Sequence, residues 1–130
     1  MKLVLDTHVY CDYAEGLPDS VDAIATHGEQ IYLPAIVIGE LMVGFLKGTK
    51  QQLNERKLRQ VIARLKIEII DVTADVARKY GIIYLSLQKK GAKIPINDVW
   101  IAACCMEVGG ALLTRDTHFE SVEQIDSILL

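Results

Sequence analysis

Four carboxylates stand where a folded chain has little structural use for an acid. Asp6 closes the apolar run Leu3-Val4-Leu5, and Glu40 interrupts Ile36-Val37-Ile38-Gly39 and Leu41-Met42-Val43. Asp98 lies between Ile94-Pro95-Ile96-Asn97 and Val99-Trp100-Ile101, and Asp116 follows Ala111-Leu112-Leu113-Thr114-Arg115. Burying a carboxylate is costly unless it is paired or binds a metal. Carboxylates that converge also raise one another's pKa unless a cation neutralises them. Four such acids in 130 residues point to one shared site held by a cation. Oxygen-only ligands select a hard ion, Mg2+ or Mn2+, rather than zinc. His8, His27 and His118 have no zinc-ligand spacing among themselves. His8 and His118 flank the acids and either touch substrate or serve a surface or packing role.

Each acid also has an ordinary alternative. Asp6 can cap a helix after a strand, Asp98 can be an anion at a helix start, and Asp116 can be a turn residue. Glu40 resists that treatment best, because every other residue from Ala35 to Phe45 is apolar or Gly. A solvent-exposed stripe there would need more than one polar residue. Glu40 must therefore pair with a buried base or face a polar cavity.

The elements that must position these acids alternate along the chain. Lys2–Leu5 reads as a short buried strand, followed by a helical turn over Val9–Glu15 and a helix from Asp19 or Ser20 to about His27. Ile31–Leu33 is a second strand. Pro34 opens an apolar helix to about Leu46, where its missing N–H costs nothing. Lys50–Leu65 is a basic amphipathic helix with Leu53, Leu58, Val61, Ile62 and Leu65 on its inner face. Ile67–Ile70 is a third strand, and Thr73 caps a helix to Lys90 whose Val76, Tyr80, Ile83 and Leu87 recur at helical spacing. A helix with a face apolar throughout starts at Asn97 or Asp98 and reaches Val108 before Gly109-Gly110. Ala111–Leu113 is a fourth strand, and Ser127–Leu129 a candidate fifth. Strands alternating with helices predict a parallel sheet covered on both faces. Such sheets bind ligands beyond the carboxyl ends of their strands, where Asp6 and Asp116 both fall.

Length and composition bound the rest. The chain fits one domain, residues 1–130, with an apolar fraction of 51% and a charged fraction of 24%, ordinary values for a folded protein. No apolar run reaches a membrane span. The N-terminus meets Asp6 too early for a secretory signal, which predicts a cytoplasmic protein. Cys11, Cys104 and Cys105 read as core thiols in a reducing compartment. The net charge of −3 divides unevenly: −6 over residues 1–46, +8 over 47–93 and −5 over 94–130. A basic segment beside an acidic site suits a polyanionic substrate met through a metal. Taken alone, Lys50–Lys66 would be read as a solvated helix face.

The order of these segments resembles the PIN-domain ribonucleases, most closely the VapC-type toxins of type II toxin–antitoxin pairs. The likeness rests on Val4-Leu5-Asp6-Thr7, on Pro34 to Leu41 around Glu40, on Ile94 to Ala103 around Asp98, and on Leu112-Leu113-Thr114-Arg115-Asp116-Thr117-His118-Phe119. It spans essentially the whole chain. It implies a PIN-like three-layer α/β/α fold with a central parallel sheet of four to five strands. It also implies that Asp6, Glu40, Asp98 and Asp116 form the acidic catalytic site. Thr114 matches the family's hydroxyl position near the fourth acid, and Thr7 stands where Thr or Ser is frequent. His8 departs from a place often taken by Asn.

The activity so implied is Mg2+-dependent (or Mn2+-dependent) endoribonuclease hydrolysis of RNA. Asp6, Asp98 and Asp116 are expected at the metal, with Glu40 orienting the attacking water. Arg115 and the basic helix are candidates for the RNA phosphates. The implied partners are a small neutralising antitoxin and a second copy of the chain. A phosphatase of the haloacid-dehalogenase type also begins with Asp after a first strand, but it wants a second Asp two residues later, and Asp6 is followed by Thr7-His8. A degenerate domain used only for binding nucleic acid or protein is the remaining alternative, and retention of all four acids argues against it.

Overall fold

The computed structural model describes residues 1–130. Five strands form one parallel sheet: β1 (Lys2–Leu5), β2 (Gln30–Pro34), β3 (Glu68–Ile70), β4 (Ala111–Thr114) and β5 (Asp126–Leu129), in the order β3-β2-β1-β4-β5. The helices are α1 (Thr7–Ala14), α2 (Pro18–His27), α3 (Ala35–Lys47), α4 (Gln51–Leu65), α5 (Ala74–Lys90) and α6 (Ile96–Val108), with a short 3-10 helix over Thr117–Ser121. The chain steps outward from β1 to β2 to β3, then returns across the sheet to β4. Right-handed crossovers make that reversal carry α5 and α6 to the face opposite α1 and α2. The reversal also makes β1 and β4 neighbours, with Leu5 opposite Leu113. Open parallel sheets bind ligands at such a switch point.

The central strands are apolar because both their faces are covered. Leu3, Val4, Leu5, Leu33, Leu112 and Leu113 are all completely buried. Ile101, Ala102, Ala103, Cys104 and Cys105 of α6 pack into the same core, as the uninterrupted apolar run predicts. Burial raises the Cys105 thiol to about 12 and the Cys104 thiol to about 11, so both are inert packing groups. Thr73 caps α5 by accepting from the Val76 N–H at 3.2 Å, and Gly91 ends that helix at φ 68°, a left-handed conformation that suits glycine.

Several local readings are corrected. Pro34 is the last residue of β2 and the N-cap of α3 rather than a first-turn residue. Pro18, not Asp19 or Ser20, opens α2, and Ser20 is fully buried within it. Helix α6 begins at Ile96, with Pro95 as an N-cap that offers no side chain. Pro95 cannot continue a hydrogen-bonded turn backward, so the helix starts directly behind it. Asp98 is consequently a half-buried first-turn residue rather than the cap of the helix. Helix α3 does have a solvent face despite its apolar sequence: Val43 is 53% and Leu46 63% exposed. Leu53, placed on the inner face of α4, is 58% exposed. Only Leu58 and Val61 of α4 are fully covered. The helical periodicity was satisfied by a narrower stripe, and the remaining apolar residues are left to the surface.

Candidate functional site

The four acids converge at the carboxyl edge of the sheet through four different structural devices. Asp6 leaves β1 and becomes the N-cap of α1, its Oδ1 accepting from the Thr7 N–H at 2.9 Å. Its other oxygen accepts from Thr114 Oγ1 at 2.7 Å, and its own N–H donates to the Leu113 carbonyl at 3.1 Å. Asp6 is thus buried with both carboxylate oxygens engaged. Capping and site formation, posed above as alternatives, are the same act.

Thr114, at the end of β4, is 1% exposed. Its hydroxyl donates to Asp6 and accepts the Asp116 N–H at 2.9 Å, so one side chain fixes two of the acids. Asp116 caps the 3-10 helix by accepting from the His118 N–H at 2.9 Å, an Asx turn that sequence pattern alone did not separate from an ordinary turn. Glu40, half-buried on α3, accepts from Thr7 Oγ1 at 2.8 Å. Its partner is a hydroxyl rather than a buried base, and it lines a polar cleft.

That cleft, about 580 Å³, is lined by Asp6, Thr7, His8, Glu40, Pro95, Ile96, Asn97, Asp98 and Asp116. Asp98 and Asp116 are bridged by His118, whose Nδ1 lies 3.2 Å from Asp98 Oδ2 and 3.0 Å from Asp116 Oδ1. Burial raises the Asp98 pKa above the usual carboxylate range, the His118 contact lowers it, and the negative charges of Asp6 and Asp116 raise it further. The net direction is upward, with burial its largest cause. A divalent cation fits the donor set. Carboxylate oxygens converge without a Lys or Arg among the cleft-lining residues, and one ligand atom each from Asp98, Asp116 and His118 falls within 4.8 Å of the others.

Arg115 lies elsewhere. Its Nε donates to Asp12 Oδ2 on α1, and it is not among the residues lining the cleft. The position follows from geometry: in an extended segment, neighbours point to opposite sides, and Thr114 already points inward. Asn97, placed in the cleft by the first turn of α6, was not singled out from sequence, where only its proximity to Asp98 marked it.

A sequence profile of the PIN domain matches residues 3–125. The chain belongs to the PIN domain family. It is 32% identical to Ribonuclease VapC2 of Rickettsia felis over 135 aligned positions, covering 100% of this chain and 96% of that protein. It is 26% identical to Ribonuclease VapC5 of Mycobacterium tuberculosis, with 96% and 90% of the two chains covered. Among solved structures, VapBC2 from Rickettsia felis bound to a DNA fragment from its promoter aligns at a TM-score of 0.87 and 26% identity, over 99% of this chain and 98% of that one. FitAcB from Neisseria gonorrhoeae aligns at 0.78 and 28%, over 97% and 96%. These relatives place the chain among VapC-type PIN domains. Their architecture agrees with the α/β fold of five parallel strands described above.

Proposed function

We propose that this PIN domain is a metal-dependent endoribonuclease and acts as the toxin of a toxin–antitoxin pair. The carrying observation is the cleft itself, four carboxylates gathered at the switch point of a parallel sheet. The names of the VapC ribonucleases it resembles supply the substrate class, RNA.

Asp6, Asp98 and Asp116 would hold Mg2+, with Mn2+ as an alternative. A bound divalent cation lowers the pKa of coordinated water and offsets charge on the phosphate oxygens. Thr114 keeps Asp6 and the Asp116 backbone in register, so that the ligands are set before substrate arrives. Thr7 holds Glu40 by one oxygen, which leaves the other free to orient the attacking water and accept its proton. The basic helix α4 is the candidate for binding RNA phosphates away from the cut. Arg115 could join it only by leaving Asp12.

The regulation belongs to the same reading. One structural neighbour, VapBC-5 from Mycobacterium tuberculosis, is a member of the VapBC family of toxin-antitoxin systems. This chain exposes Val43, Leu46 and Leu53 around α3 and α4, and Ile82, Tyr84 and Leu85 on α5. Apolar patches of that kind suit protein partners, here a small antitoxin and a second copy of the chain. No helix is long and apolar enough to cross a membrane. Three free cysteines suit a reducing cytoplasm.

The test is cleavage of a broad RNA panel by the purified chain with Mg2+, with Mn2+ and with EDTA. Cleavage that EDTA abolishes and added Mg2+ restores is the expected result. Silence on every RNA under all three conditions would favour the binding-module alternative.

A further inference from the structure

A nitrogen donor that the four-acid reading leaves unused, His118, lies against two of the cleft's carboxylates. The Asx turn at Asp116 folds the 3-10 helix back so that the His118 ring crosses in front of the Asp116 carboxylate. Phe119, 1% exposed, anchors that turn in the core while His118 stays on the solvent side. The two Nδ1-to-oxygen separations are 3.0 Å to Asp116 and 3.2 Å to Asp98. In an octahedral shell, adjacent ligand atoms held about 2.1 Å from a cation stand about 3 Å apart. Both Nδ1-to-oxygen separations therefore match edges of such a shell, and the three ligand atoms all lie within 4.8 Å of one another. His8, on α1, does line the cleft but belongs to no such group.

Building on the metal-site reading above, we propose that His118 is a cation ligand together with Asp98 and Asp116, and that its imidazole biases this side of the cleft toward Mn2+ over Mg2+. Mg2+ is a hard ion that keeps oxygen ligands and much of its water. An imidazole nitrogen adds more to the binding of a first-row transition ion, whose affinity for nitrogen donors is higher. Coordination through Nδ1 would require the ring proton on Nε2, so that a shared cation replaces the Nδ1–H contact with the two carboxylates. His118 thereby becomes a selector of the ion, whereas Asp6 and Glu40 belong to a part of the cleft that meets any hard cation through oxygen alone.

The experiment uses the full chain, stripped of metal and titrated with Mn2+ and with Mg2+ by calorimetry. The Mn2+-loaded protein is then measured by pulsed electron paramagnetic resonance for coupling to a histidine 14N nucleus. Wild type is expected to show that coupling, and His118→Ala and His118→Gln to lose it while His8→Ala keeps it. In the His118 variants Mn2+ affinity is expected to fall on the order of tenfold. Their Mg2+ affinity is expected to change by less than about threefold, since oxygen ligands dominate its binding. Asp98→Asn should weaken both ions. Absence of 14N coupling in wild type, with Asp98→Asn still weakening both ions, overturns the assignment of His118 and leaves the acidic metal site standing. Coupling that survives His118→Ala and disappears in His8→Ala overturns it as well. A wild-type protein that binds neither ion overturns both readings.

Discussion

The two sides of the cleft are built on opposite principles. On one side, Asp6 and Glu40 are held by the protein: a main-chain N–H, the Thr7 hydroxyl and the Thr114 hydroxyl donate to them. On the other, Asp98 and Asp116 face each other across His118, and burial and neighbouring negative charge raise the Asp98 pKa. On the first side the carboxylates are held by donors of the chain as folded. On the second the shared partner of both carboxylates is the half-exposed His118, and the proposed cation would add most there. The contrast separates ligands that the chain already holds, Asp6 among them, from ligands that the proposed cation would complete, and mutations on the two sides should fail in different ways.

The largest effect should come from the cation side. Asp98→Asn is expected to lower RNA cleavage by at least about 100-fold, comparable to removing one charge-stabilising group from an active site, while the protein remains folded. Steady-state cleavage of a labelled RNA at saturating Mg2+ reads this directly, and an unchanged rate would remove Asp98 from the site. On the preorganised side, loss should appear first in stability. Thr114→Val conserves shape but leaves a buried Asp6 oxygen without its donor and frees the Asp116 N–H, a change worth about 1–3 kcal/mol. Chemical denaturation should report it as a lower midpoint with an unchanged slope. A neutral Thr114→Val would mean that Asp6 is not held as described.

Thr7→Val should be milder. It removes the 2.8 Å bond to Glu40 without uncovering a fully buried group, and cleavage is expected to fall on the order of tenfold, as when a supporting hydrogen bond at a metal site is lost. Metal affinity should stay within a few-fold of wild type, which calorimetry can check. Smallest of all, Arg115→Ala removes an ion pair with Asp12 at the surface, worth about 0.2–1 kcal/mol. A cleavage loss well beyond tenfold at unchanged stability would show that Arg115 leaves Asp12 to meet the RNA phosphate.

Much of this arrangement was legible in the sequence, for a specific reason. Acids placed at the ends of apolar runs violate the local pattern; the violation at Glu40 survives any choice of element boundary, while Asp6, Asp98 and Asp116 gained their weight from occurring together. The alternation of strands and helices then placed Asp6 and Asp116 on one edge, and the five-stranded parallel sheet has them there. What sequence could not supply was direction. Thr114 and Arg115 are adjacent, yet one points inward to two acids and the other outward to Asp12. The exposed faces of α3 and α4 were hidden for a related reason. An apolar helix reads as buried whether its cover is its own chain or a partner, so Val43, Leu46 and Leu53 looked like core.

The difference between the two sides is tested most directly by melting wild type and Asp98→Asn side by side, without metal and with excess Mg2+. Because the folded-state pKa of Asp98 is raised, its contribution to stability is fully present below the unfolded value near ~3.9 and is lost as pH rises through the folded value. At pH 7 without metal, the ionised carboxylate therefore costs stability, and Asp98→Asn should melt at or above wild type. With Mg2+ at about 100 times its dissociation constant, wild type should gain about 2.7 kcal/mol and overtake the variant, which gains less. That crossing is the predicted result. An Asp98→Asn variant that melts well below wild type without metal, with Mg2+ shifting both proteins equally, would make Asp98 a structural residue and contradict a cation-completed cleft.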